Sequence, residues 1–287
     1  DRGVCQAQQH TTGGQQSHAD QPLTGFAFYV NYQKRTQAKA TEDKRKEEEL
    51  EEARQFQLDM LPRETPDELG LDISSTIKTA TEVGGDYYDY FPQKDGKSLY
   101  VVVGDATGHG MTAGMMVSIT KAGLYGIPAI PPNDIARRLN RVIKKIDLGW
   151  NRMAFNMARF WEDRVEFTSA AMPPVYHYHG ETGDLDEVLL GGLPLGSIKD
   201  ETFSLEEFDF NQGDSLIFIS DGLPEAANHT GEMLGYDAVY NCIKANGNQS
   251  AEEQKQSLLD LGSAWLGDLQ NQDDITIVVV KKSKPLE

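Results

Sequence analysis

From Leu71 onward the chain is a series of short apolar runs, each closed by Gly, Asp, Asn or Pro. LDISSTIKTA, SLYVVVGDA, RVEFTSAAM, PVYHYH, ETFSLEEFDF, DSLIFISDG and DITIVVVKK are rich in β-branched and aromatic residues, which is the composition of strands. Three stretches carry helical patterning instead: 111–124, 132–146 and 251–266. The order is strands, two helices, further strands, a helix and a last strand. A doubly wound parallel sheet would alternate strand and helix. The pattern therefore predicts antiparallel sheets with helices packed outside them, an α+β fold.

The first part of the chain reads differently. Residues 1–22 are rich in Gln, Gly, Thr and His and are expected to be disordered, since they have little to bury. LTGFAFYV at 23–30 is apolar and is followed by Lys34 and Arg35. It predicts either a strand or the end of an upstream membrane segment with its basic pair on the cytoplasmic side. Residues 1–35 are thus expected to be a disordered, linker or juxtamembrane segment. Residues 36–61 lack Pro and Gly and are dense in Ala, Glu, Lys, Arg and Gln, so they predict a helical linker. Within it Leu50, Ala53, Gln57 and Met60 are spaced like the seam of a short coiled coil. The seam would pair two helices and make a homodimer; the alternative is a solvated, charged helix acting as a spacer. Pro62 closes the helix, and 62–287 are expected to form one domain.

Composition sharpens the picture. The chain has 287 residues, 39% of them hydrophobic, enough for one sizeable core. Its 27 Lys and Arg against 45 Asp and Glu leave a formal charge of −18. Phosphate backbones are bound by surface Lys and Arg, so a nucleic-acid partner is not expected. Two cysteines, Cys5 and Cys242, exclude a disulfide framework or a cysteine zinc site and suit a reducing compartment such as the cytoplasm.

The aspartates carry the chemistry. Asp86 lies in GGDYYD, Asp105 ends LYVVVGD, Asp221 ends LIFISD, and Asp273 and Asp274 open DDITIVVV. Each sits at the boundary of a strand-like run, usually beside Gly. Singly, each reads as a turn residue accepting backbone hydrogen bonds. If the strand ends converge, however, the carboxylates crowd and repel one another, a conflict that divalent cations relieve. Oxygen ligands select Mg²⁺ or Mn²⁺ over zinc, and such clusters suit phosphate-ester hydrolysis. His109 in GDATGHG reads either as a general acid or as a residue packing near the following helix. His177 and His179 would share one face of a strand, but they stand at no metal-like spacing from cysteine and are not expected to form a site.

In order along the chain stand ARQFQLDMLP (53–62), EVGGDYYDYF (82–91), GDATGHG (104–110), GGLPLG (191–196), SDGLPEAAN (220–228) and DDITIVVV (273–280). With these motifs the chain resembles the metal-dependent, type 2C protein phosphatases (PPM), and more narrowly the bacterial SpoIIE/RsbU-type serine phosphatases, from about residue 48 to 282. The resemblance implies a four-layer αββα sandwich of two antiparallel sheets flanked by helices, here preceded by an N-terminal helix. It implies two Mn²⁺ or Mg²⁺ ions held by Asp86, Asp105, Asp221, Asp273 and the carbonyl of Ala106. Gly85, Gly104, Gly222 and Asp274 would support them. The implied activity is hydrolysis of phosphoserine or phosphothreonine by a metal-activated water. The implied substrate is a phosphorylated STAS-type anti-sigma factor antagonist, in partner switching that controls a sigma factor. The alternative is a non-catalytic partner-switching module of the same fold. In the phosphatase reading the resemblance implies that the helix at 36–61 is regulatory and carries an upstream signal to the metal site. Two departures stand out: Ala171-Met172-Pro173-Pro174 replaces the common Gly-His-Pro-Pro, and Ala106 replaces a common Ser or Gly.

Overall fold

The computed structural model describes residues 21–80, 83–94, 96–108 and 110–283. Most of the expected disordered segment, together with His109, lies outside them. Helix α1 (Gln21–Met60) begins well upstream of the expected residue 36. Residues 23–30, expected to form a strand or a membrane end, are therefore part of that helix. No helix among the described residues is long and apolar enough to cross a membrane. The charges of α1 alternate in sign four residues apart, giving ion pairs Glu42–Lys46, Lys44–Glu48 and Arg45–Glu49 along its exposed surface. The chain divides into two units, 1–49 and 50–287. The last turns of α1, from Leu50, belong to the second.

That second unit is a sandwich of two antiparallel five-stranded sheets. One contains, in spatial order, β1 (Leu71–Lys78), β10 (Ile275–Lys282), β9 (Ser215–Ile219), β6 (Val175–Tyr178) and β7 (Leu185–Val188). The other contains β2 (Asp86–Pro92), β3 (Leu99–Ala106), β4 (Met153–Phe160), β5 (Arg164–Ala170) and β8 (Glu206–Asp209). Helices α2 (Met111–Tyr125) and α3 (Pro132–Ile146) cover the second sheet, and α4 (Tyr236–Asn246) and α5 (Ala251–Leu266) the first.

Three apolar layers follow from this stacking. In β3, Val101 and Val103 face the other sheet, while Tyr100 and Val102 face the helices. In β10, Val278 and Val280 point inward, and Ile277 and Val279 pack under α4 and α5. Central strands are buried on both faces, so their sequences read as unbroken apolar runs rather than alternation. Strands β4 and β7 and helix α4 escape sequence prediction. MAFNMARF and LDEV hold few β-branched residues, and YDAVYNCIKAN is poor in strong helix formers; the sheets and the layer beneath α4 decide their state.

The connection from β5 to β6 contains a strained point. Ala171 has φ 63°, in the left-handed region that Gly occupies without penalty. Replacing Ala171 with Gly is expected to stabilise the fold by about 0.5–1 kcal/mol, the relieved strain minus the added freedom of the unfolded chain. Chemical denaturation of the two proteins checks this; a less stable variant would contradict it.

Candidate active site

The acidic turns meet at one end of the sandwich. Asp86 opens β2 and is the direct cross-strand partner of Asp105, the next-to-last residue of β3. From the other sheet, Asp221 follows the end of β9, and Asp273 and Asp274 precede β10, its antiparallel neighbour. The Ser220 hydroxyl ties these two ends together: it donates to the Asp274 carbonyl (3.2 Å) and accepts from the Thr276 amide (2.9 Å).

Asp274 joins the two sheets. Its buried carboxylate accepts from the Ala80 amide (2.8 Å), the Gly85 amide (2.7 Å) and, more weakly, the Asp86 amide (3.4 Å). Three amides thus engage the side chain that the sequence marked only as supporting. Gly85 completes the link by accepting from the Ala106 amide (3.0 Å). The approach leaves no room for side chains. A Cβ on Gly85 would lie 2.6 Å from the Ala106 carbonyl oxygen, and one on Gly222 would run into the Asp274 carbonyl. Gly104 lies within β3, packed against Met153. Asp273 accepts from the Asp274 amide (2.8 Å) and stays exposed.

The resulting cleft, about 330 Å³, is lined by Asp105, Ala106, Thr107, Gly108, Asp221, Asp273 and Asp274, with Ala80 and Gln272. None of these described residues is basic. Thr107 brings the sole hydroxyl among them, and that oxygen accepts from the Arg152 amide at 2.7 Å. Burial, then the repulsion of Asp221, Asp273 and Asp274, pushes the Asp105 carboxyl up to about 7. Burial, then Asp105, raises Asp86 well above the usual carboxylate range. Asp221 is raised by burial and by Asp273. One oxygen of Asp86, Oδ2, is buried without a hydrogen-bond partner. An orphaned carboxylate oxygen among mutually repelling carboxylates is a donor set that fits a hard divalent cation.

Sequence reasoning treated Gln57 as a seam residue of a helix pair. The structure gives it a partner in its own chain: the buried amide donates to the Gly84 carbonyl (2.8 Å) and accepts from the Gly84 amide (3.0 Å). Gly84 adjoins Gly85 and Asp86, so the end of α1 is hydrogen-bonded to the turn that presents Asp86. Three further residues of this region were missed. Lys121 of α2 donates to the Met60 carbonyl (2.6 Å) and to buried Asp89 (2.6 Å), which also accepts from Tyr87 (2.7 Å). Alternation places Tyr87 and Asp89 on one face of β2, but nothing in the sequence pairs them with Lys121.

Solved structures share this fold. The SiaA PP2C domain of Pseudomonas aeruginosa superposes with a TM-score of 0.73 at 21% identity, covering 84% of this chain and 98% of that one. The PP2C phosphatase domain of SpoIIE from Bacillus subtilis gives 0.61 at 19%, over 74% of this chain and 63% of that structure. In sequence, the phosphoserine phosphatase RsbU of Bacillus subtilis is 28% identical over 239 residues, which span 82% of this chain and 70% of RsbU. Protein IcfG of Synechocystis is 24% identical, and the match spans 45% of its length. The family profile for Stage II sporulation protein E (SpoIIE) matches residues 95–283. With most of its length inside that match, the chain belongs to the SpoIIE family.

Proposed function

We propose that this chain is a metal-dependent protein-serine/threonine phosphatase acting on a phosphorylated regulatory protein. The observation that carries the reading is the convergence of Asp105, Asp221 and Asp273 from both sheets on a cleft with no basic residue among its described lining, with Asp86 buried beside Asp105 as its cross-strand partner. In this reading the four carboxylates and the Ala106 carbonyl hold two ions, Mn²⁺ or Mg²⁺. When bound, such ions supply Lewis acidity toward phosphoryl oxygens and acidify the attacking water.

The chain's own residues do the rest. A phosphate monoester meets only negative charge from the cleft walls, so the carboxylates must be neutralised before it can settle there. Thr107, the one hydroxyl among the described lining residues, accepts from the Arg152 backbone amide, and in this reading a water rather than a side chain attacks phosphorus. Asp274 holds the Gly85–Asp86 turn of one sheet against the strand ends of the other. The substrate we infer is a phosphoserine on a STAS-type anti-sigma factor antagonist. Its support is membership of the SpoIIE family and the activity named for the RsbU relative.

Regulation enters this reading through α1. Leu50, Ala53, Gln57 and Met60 lie along one face of the helix, and Gln57 grips Gly84. A change in the seating of the helix, for instance on pairing with a second copy, would move the turn that carries Asp86.

With saturating Mn²⁺, Asp105→Asn and Asp221→Asn are each expected to lose activity by orders of magnitude on p-nitrophenyl phosphate and on a phosphoserine protein, while remaining folded. Comparable turnover by either variant, or preference for phosphotyrosine, would contradict the assignment. Stability of the metal-stripped protein should also depend on pH. Asp105 is raised from the ordinary 3.8 to about 7, so its protonated form favours the fold. That contribution is complete below the unfolded value and is lost as pH rises through about 7. Thermal melts between pH 5 and pH 8, in chelator, should show falling stability in the parent and a flatter profile in Asp105→Asn. Finally, Gln57→Ala is expected to lower kcat about tenfold, as when about 1.4 kcal/mol of positioning is lost. Its melting temperature should also fall by several degrees, because the buried Gly84 amide and carbonyl lose their partner, so the rates are compared well below both melting points. An unchanged rate would make the helix end a passive spacer.

A further inference from the structure

A second group of ligand-type side chains lies at the other end of β9. Asp221 lies two residues past the end of that strand and Asp214 just before its start, which separates the two regions by roughly 20 Å of extended chain. His177 in β6 and His179 just beyond it point to the same face, two residues apart. Asp186 of β7 is the direct cross-strand partner of His177. One ring nitrogen of each histidine and a carboxylate oxygen of Asp214 lie within 4.8 Å of one another.

The cluster is preorganised. Asp214 is buried, and both its oxygens are held by backbone amides, Oδ1 by Gly180 (2.8 Å) and Oδ2 by Asn211 (2.7 Å). Burial alone would raise its carboxyl, but His177 and these amides outweigh burial and hold it below the usual range, so it stays anionic. The His177 ring is also buried and lies against Phe208, 4.8 Å between centroids. His179 Nε2 lies 2.8 Å from Asp186 Oδ2. Such carboxylate–imidazole pairing fixes a ring and its tautomer and leaves the other nitrogen free for a metal.

The cluster leaves room for a cation, since its three ligand atoms lie up to 4.8 Å apart and an ion would draw them together. His177 Nε2 and Asp214 Oδ2 are 3.4 Å apart. That is a long contact for an N–H···O hydrogen bond, whose usual range is about 2.7–3.2 Å. It is close to the roughly 3.3 Å between two ligands that each stand about 2.0–2.1 Å from a tetrahedral zinc ion. The setting also suits a cation. The histidines line a cleft of about 680 Å³ between β7 and β8, with Asp186, Glu187, Glu206 and Asp209 along it. An acidic cleft concentrates cations.

We propose that His177, His179 and Asp214 bind one divalent cation of the zinc class, with Asp186 orienting His179. Two imidazoles and a carboxylate match zinc better than Mg²⁺, which prefers oxygen alone. The ion would clip the β6–β7 hairpin to the turn between β8 and β9, at the edge where the two sheets approach each other. The sequence reading expected no histidine site because it looked for cysteine partners; the carboxylate partners come from strands and turns distant in sequence.

The test uses the full chain in an Asp105→Asn background, which weakens metal binding at the acidic cluster. After stripping with chelator, Asp105→Asn and Asp105→Asn/His179→Gln are dialysed against Zn²⁺ and their metal content is measured. His179 is partly exposed and lies outside the acidic cluster, so its replacement should leave the circular dichroism unchanged. The proposal expects the single variant to retain one more zinc per chain, and Zn²⁺ to raise its melting temperature more than that of the double variant. His177→Gln in the same background should lose the same equivalent. Equal zinc content and equal thermal shifts in single and double variants would overturn the proposal. In an otherwise wild-type chain, His179→Gln should leave the Mn²⁺-supported rate unchanged; a collapse of that rate would also overturn a separate site.

Discussion

The Asp274 carboxylate is the joint on which the acidic site depends. It belongs to the sheet of β9 and β10, yet its oxygens are taken up by the amides of Ala80, Gly85 and Asp86 around the start of the other sheet. Without that clamp, Asp86 and Asp105 on one side, and Asp221 and Asp273 on the other, would be like charges with good reason to separate. Burial first, and then their mutual repulsion, raises the carboxyls of Asp86, Asp105 and Asp221. The arrangement is therefore held under electrostatic load by backbone hydrogen bonds and by the apolar layers behind it. A divalent cation would turn that load into binding energy.

Much of this was legible in the sequence because burial and close approach leave strong marks. Central strands buried on both faces must read as apolar runs, and LYVVVGD and DITIVVV do. Turns with no space for a side chain require Gly, which is why Gly85 and Gly222 stand beside aspartates. Hydrogen-bond roles were harder to see. Asp273 and Asp274 are adjacent and identical, and only the fold shows that one is gripped by amides while the other is exposed. Gln57 fitted a helical seam, and its partnership with Gly84 spans 27 positions that no local pattern connects. The extent of α1 was misjudged because the aromatic, apolar run at 23–30 resembles a strand, although it continues the helix with Phe26, Phe28 and Tyr29 exposed.

Two features of the second unit follow from one design: a sandwich whose strand ends present side chains at both extremities. At one extremity the strand ends carry carboxylates, and the end of α1 reaches the turn before Asp86 through Gln57. At the other, β6 and β7 present imidazoles and carboxylates toward β8. The acidic extremity suits hard oxygen-ligated ions and the mixed extremity suits zinc, so the two would sort metals by donor chemistry rather than compete for the same one.

The central claim is that the aspartates at the strand ends form one cation-binding centre. Anomalous diffraction from crystals of the full chain grown with Mn²⁺ tests it most directly. The account predicts manganese peaks bounded by Asp86, Asp105, Asp221, Asp273 and the Ala106 carbonyl, with Asp274 still on the Gly85 amide. Well-ordered crystals with no manganese at these carboxylates, or manganese held instead by Asp274 released from Gly85, would contradict it.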